Sequence, residues 1–120
     1  MTAAASAPPH FVVDTHRTGT TELVQVQGEV DIATAPLLRA VLDTVVSRRP
    51  TRVEVDLSGA TFMDAEALTT LLAVRRRLAA RHATLLLRDP SPVVVRLLEL
   101  SGAEHGLEIA TGPAQVRRAG

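Results

Sequence analysis

Residues 56–72 read DLSGATFMDAEALTTLL, and within them stand three carboxylates, Asp56, Asp64 and Glu66, and four hydroxyls, Ser58, Thr61, Thr69 and Thr70. Two chemistries use such a set. Carboxylates at the carboxyl edge of a sheet can hold Mg²⁺ for work on phosphate, and a hydroxyl near a helix start can itself be phosphorylated. The rest of the chain argues against catalysis. Phosphate-handling α/β enzymes of the metal-carboxylate kind also present a lysine to the phosphoryl group, and all 13 basic residues here are arginines, whose planar fork meets phosphate differently. Cysteine is absent, which removes thiol nucleophiles, thiolate metal sites and disulfides. There is no Gly-rich phosphate loop, and His10, His16, His82 and His105 lack metal-ligand spacing. The expectation is a protein that is not an enzyme, with no cofactor and no metal.

Thirteen acidic residues balance the arginines, so no overall field points to nucleic acid or an anionic membrane. The Arg75, Arg76, Arg77 and Arg81 cluster reads as a solvated helix face that complements the helix dipole. No apolar run approaches the roughly 20 residues of a membrane span, and MTAAASAPPH lacks the features of a secretory signal. A cytoplasmic protein without direct membrane insertion is expected. Only Phe11 and Phe62 are aromatic, so the core must be aliphatic.

The elements that must position the acidic stretch can be read from periodicity. Residues 1–9 and 111–120 are small, Pro-bearing and aperiodic, and are expected to be flexible tails around one domain at 10–110. Residues 11–14 and 22–30 alternate as strands around a Thr18, Gly19, Thr20 turn. Thr34 and Pro36 open a helix striped by Leu38, Val41, Leu42 and Val45, which closes before Pro50. Residues 53–57 form a strand that stops at a polar turn. A helix over 65–82 then buries Ala67, Leu68, Leu71, Leu72, Val74 and Leu78. A strand at 84–87, a helix from Ser91 and Pro92 to Gly102, and a last strand at 107–110 complete the pattern. It predicts an α/β domain whose mixed sheet starts antiparallel and continues through parallel crossovers packed with helices.

In that frame Asp64 falls where a helix N-cap belongs, a role worth about 1 kcal/mol. Glu66, in the first turn, is favoured by the positive end of the helix dipole. It shares a face with Thr70, Ala73 and Arg77, opposite the Leu68, Leu71 and Leu72 stripe. Capping and dipole thus account for both acids, but not for a small polar face.

Three segments, GEVDIATAPLL at 28–38, VEVDLSGATFMDAEALTTLL at 53–72 and DPSPVVVRLLELSG at 89–102, together resemble the STAS domain as found in bacterial anti-sigma factor antagonists. The resemblance implies a single STAS domain and a partner that is an anti-sigma factor and GHKL-type serine kinase, or another signalling protein. In that family the segment ends D-S-S-G-L, and the second serine accepts phosphate from the partner, which breaks their contact. Here it reads D-A-E-A-L, so the phosphoacceptor-equivalent is Glu66, flanked by Ala65 and Ala67. A glutamate cannot take the phosphoryl group, yet it places a permanent negative charge there. The charge either mimics phosphoserine or marks a relative that never used the switch. Ser58 and Thr61 are the alternative hydroxyls, each also suited to turn hydrogen bonds.

The resemblance further implies that Asp31 lies beside this loop and joins Asp64, Ala65, Glu66, Ala67 and Thr70 as partner-binding residues, with a turn or cap as the alternative role for Asp31. Asp56 is expected to organise the loop. A STAS scaffold of a signalling assembly or an accessory subunit of a membrane transport system would share this architecture. The sequence leaves the oligomeric state open.

Overall fold

In a computed structural model, residues 10–111 are described; the tail expected at 1–9, and all but the first residue of the tail expected at 111–120, lie outside them. Five strands form one sheet in chain order: β1 (Phe11–Thr18), β2 (Thr21–Val30), β3 (Arg52–Met63), β4 (Thr84–Arg88) and β5 (Glu108–Ala110). Helices α1 (Ala35–Ser47), α2 (Ala65–Ala79) and α3 (Pro92–Ser101) connect them, with a 3₁₀ turn (Ala103–Gly106) before β5. β1 and β2 form the expected antiparallel hairpin, and each later strand is parallel to the one before it.

Right-handed crossovers that always step in one direction place their helices on one side of the sheet. Alternation then decides which strand residues face them. Val24, Val26 and Val30 of β2, Val53, Val55 and Leu57 of β3, and Leu85 and Leu87 of β4 join one core with Leu38, Leu42 and Val45 of α1, Leu71, Val74 and Leu78 of α2, and Val94 and Leu98 of α3. This is the aliphatic core that the scarcity of aromatics requires, and Phe11 is its one aromatic member.

Charged groups enter the interior at two places. Glu22, in register with Val53 on the helix side, is wholly buried and paired with Arg17 and with Arg48 at 3.2 Å. On the other face Glu54 meets Arg88 at 2.9 Å and Arg52 at 2.7 Å, with Glu54 and Arg88 both buried. Such carboxylates are tolerated inside because each has two guanidinium partners.

Three boundaries differ from expectation by more than one residue. β1 runs on to Thr18 rather than stopping at residue 14. β3 continues six residues past Leu57, through the supposed polar turn, because 59–63 pair with 27–30 after two shifts of register. α2 ends at Ala79 rather than residue 82, where His82 takes a left-handed conformation (φ 62°) and the Ala83 amide donates back to the Leu78 carbonyl at 2.9 Å. α3 stops at Gly102 as expected, with φ 76°.

Candidate functional site

The carboxyl ends of β2 and β3 lie side by side, and the Asp64 amide donates to the Val30 carbonyl at 3.1 Å. That bond seats the start of α2 against the loop after β2. Asp64 is extended (φ −100°, ψ 174°), and its Oδ1 accepts the Ala67 amide at 3.0 Å. It is therefore the N-cap of α2. With Asp64 supplying the cap, Glu66 is left exposed in the first turn. Among the described residues its carboxylate has neither a hydrogen-bond nor an ion-pair partner, so its electrostatic support is the helix dipole.

The neighbours of Glu66 divide by burial. Ala65 is exposed, whereas the Ala67 methyl is fully buried in the core. Ala67 can thus contribute to a surface only through its backbone. Thr70 is half-buried and its hydroxyl donates to the Glu66 carbonyl at 3.3 Å. Ala73 is half-buried too, and Arg77 pairs with Asp43 of α1 at 2.6 Å. The small polar face of α2 is therefore partly taken up by α1, with Arg77 half-exposed but paired at one end and Glu66 exposed and without a partner among the described residues at the other.

Asp31 organises the adjoining loop. Its Oδ1 accepts the amides of Ala33 at 3.0 Å and Thr34 at 3.1 Å. Thr34, buried, accepts the Asp31 amide and donates its hydroxyl to the Glu29 carbonyl at 2.7 Å, so it fixes the loop and does not cap α1 through its side chain. Desolvation works to raise the Asp31 pKa, but the Thr34 and Ala33 amides, the Thr34 hydroxyl and the His10 ring outweigh it and hold the carboxyl below its ordinary value. Ser91 behaves like Thr34: it donates to the Ala60 carbonyl at 2.6 Å rather than capping α3.

Asp56 accepts both the amide and the hydroxyl of Ser58, at 2.9 and 2.7 Å. Asp56, Asp64 and Glu66 do not converge as metal ligands. Among the described residues the acidic and histidine side chains that do come within ligand reach are His10, Glu29 and Asp31. Sequence spacing could not show this, because the strand pairing of β1 with β2 brings His10 to residues 19 and 21 positions away. Also missed were three exposed apolar side chains at this end of the sheet: Ile32 (80% exposed), Phe62 (45%) and Val93 (40%). Ile32 did carry a signal, as an apolar residue in a polar turn and off the α1 stripe.

A singly wound mixed sheet, antiparallel at its start and parallel thereafter, with an exposed, charged helix start at its carboxyl edge defines a small α/β domain. The family model described as "Mlab, STAS domain" matches residues 13–110, and the chain belongs to the STAS family. It is 32% identical over 87 residues to a STAS-domain containing protein of Pseudomonas aeruginosa, covering 72% of this chain and 85% of that one. It is 29% identical over 84 residues to the anti-sigma-B factor antagonist of Listeria monocytogenes, covering 70% and 74%. Among solved structures, an anti-sigma factor antagonist from Mycobacterium paratuberculosis superposes with a TM-score of 0.79 at 26% identity, over 88% of this chain and 89% of the other. The Bacillus antagonist SpoIIAA in its unphosphorylated form gives 0.77 at 20% identity, over 88% and 91%, a likeness of fold. The chain is an anti-sigma factor antagonist-like STAS domain.

Proposed function

We propose that this domain is a non-catalytic docking module for a signalling protein, an anti-sigma factor or serine kinase of GHKL type, in which Glu66 occupies the phosphoacceptor position and makes its charge permanent. The observation that carries this is the Glu66 carboxylate: exposed, unpaired among the described residues, and set at a helix start whose cap is already supplied by Asp64. A glutamate needed for capping would not be so placed. Ile32, Phe62 and Val93, each exposed though apolar, support a protein partner, since apolar side chains left at the surface suit burial in a protein interface. Asp31, Asp64, Ala65, Glu66 and Thr70 provide its polar part, and Ala67 its backbone.

SpoIIAA has been solved in both unphosphorylated and phosphorylated forms, so in that relative the charge is switched. A carboxylate carries one negative charge, against about −1.5 to −2 for a phosphoserine, and Glu66 therefore reproduces part of the phosphorylated state. The test is titration of the wild type and of Ala65→Ser/Glu66→Ser against a candidate GHKL kinase. The double variant leaves buried Ala67 untouched. It should bind more tightly than the wild type and take label from ATP. Tight binding by the wild type that weakens in Glu66→Ser overturns the reading and makes Glu66 a contact residue. A second reading, a scaffold or transport accessory subunit, is favoured by the absence of a hydroxyl at position 66, and predicts partner binding indifferent to Glu66→Ser.

A further inference from the structure

The side chains of His10, Glu29 and Asp31 converge at the amino end of β1 and the carboxyl end of β2. His10 Nε2 lies 3.9 Å from Glu29 Oε1 and 3.8 Å from Asp31 Oδ2. All three donor atoms fall within 4.8 Å of one another. We propose that this trio is a binding site for a divalent transition-metal ion of the Zn²⁺ type, at the margin of the docking surface.

Three features favour a built site. The first is the backbone that delivers His10. The Glu29 amide donates to the His10 carbonyl at 3.1 Å, and Gly28, at φ 100°, is where a side chain would collide with that carbonyl: an added Cβ would lie 1.7 Å from the oxygen. Only glycine lets residue 10 cross here, and the crossing sets the imidazole over Glu29 and Asp31. The second is the division of labour within Asp31. Its Oδ1 is occupied by the Ala33 and Thr34 amides, which orients the group and leaves Oδ2 toward His10. The third is fit. Ligand atoms held about 2.1 Å from a tetrahedral ion stand about 3.4 Å apart. The His10 nitrogen would close on each carboxylate from 3.8–3.9 Å, and the two carboxylates on each other from within 4.8 Å, by rotation of the exposed His10 and Glu29 side chains. One imidazole nitrogen with two carboxylate oxygens suits Zn²⁺ and its neighbours better than Mg²⁺ or Ca²⁺, which prefer all-oxygen shells. Three protein ligands leave a fourth position for water or for a partner's side chain.

The site does not depend on the docking reading, and its test uses the protein alone. Tag-free protein is titrated with ZnCl₂ by calorimetry, and the ring nitrogens of all four histidines are followed by ¹⁵N NMR, with MgCl₂ as the control. The expected result is 1:1 uptake with the shift concentrated at His10 Nε2. His10→Ala should weaken binding at least about tenfold, the scale at which even outer-sphere partners of a metal act. Asp31→Asn, which keeps an acceptor for the loop amides, and Glu29→Gln should each weaken it while thermal melts stay near wild type. Equal shifts at His16, His82 and His105, an unchanged affinity in His10→Ala, or no uptake would overturn the proposal.

Discussion

Asp64 and Glu66 stand two residues apart and have separable jobs, and single substitutions can tell them apart. Asp64→Ala removes the N-cap of α2 and should cost about 1 kcal/mol in urea melts. Glu66→Ser removes only a dipole interaction and should cost a few tenths of a kcal/mol. Equal costs would mean that Glu66 also carries local structure. Phosphopeptide mapping after incubation with a kinase and ATP should find no phosphate at position 66. Phosphate at Ser58 or Thr61 would instead mean that the switch had moved, and Ser58 would have to give up its bond to Asp56. Asp31 predicts a pH effect. Its carboxyl titrates lower in the folded chain than in the unfolded one, so its contribution is complete above the ordinary aspartate value near 3.9 and is lost as pH falls through the lowered native value. Acid unfolding of Asp31→Asn should therefore be shallower than that of the wild type within that window.

Among the elements, α2 tests the assignment of faces. Leu71 is fully buried, and Leu71→Ala should destabilise by about 2–5 kcal/mol through the cavity it leaves. Arg77→Ala breaks a pair that is half-exposed on both sides and should cost no more than about 1 kcal/mol. Similar costs in denaturant melts would put the helix in the wrong phase. The β3–β4 pair offers a second contrast. Arg88 and Glu54 are both buried, whereas Arg52, the other partner of Glu54, is about one-third exposed. Arg88→Met should therefore destabilise more than Arg52→Met.

Helix faces were legible in the sequence because their apolar period is local: Leu38, Leu42 and Val45, and Leu71, Val74 and Leu78, are buried as the spacing predicts. The cap at Asp64 was equally local. What could not be read depends on partners distant in the chain. The burial of Glu22 has only half its explanation nearby: Arg17 meets it across the hairpin, but Arg48 reaches it from 26 residues away. Likewise Gly59 looks like a turn residue until Gln27 of β2 pairs with it. Ala67, read from its helical phase as buried and from D-A-E-A-L as a contact, is buried and leaves only its backbone for a contact. The convergence of His10 with Glu29 and Asp31 was invisible for the same reason as Glu22.

Over the whole molecule, order along the chain equals order across the sheet. Every strand hydrogen-bonds to its immediate predecessor, so β1 and β2 can pair before α1 exists, and each later strand finds its one required edge already laid down. A ribosome releases such a protein in the order in which it assembles. Contacts that close short loops come early, and no emerging strand must wait for, or be inserted between, segments not yet made. The junction between β3 and α2 would then acquire its support from Val30 as soon as β3 is complete, while β4, α3 and β5 are still being synthesised.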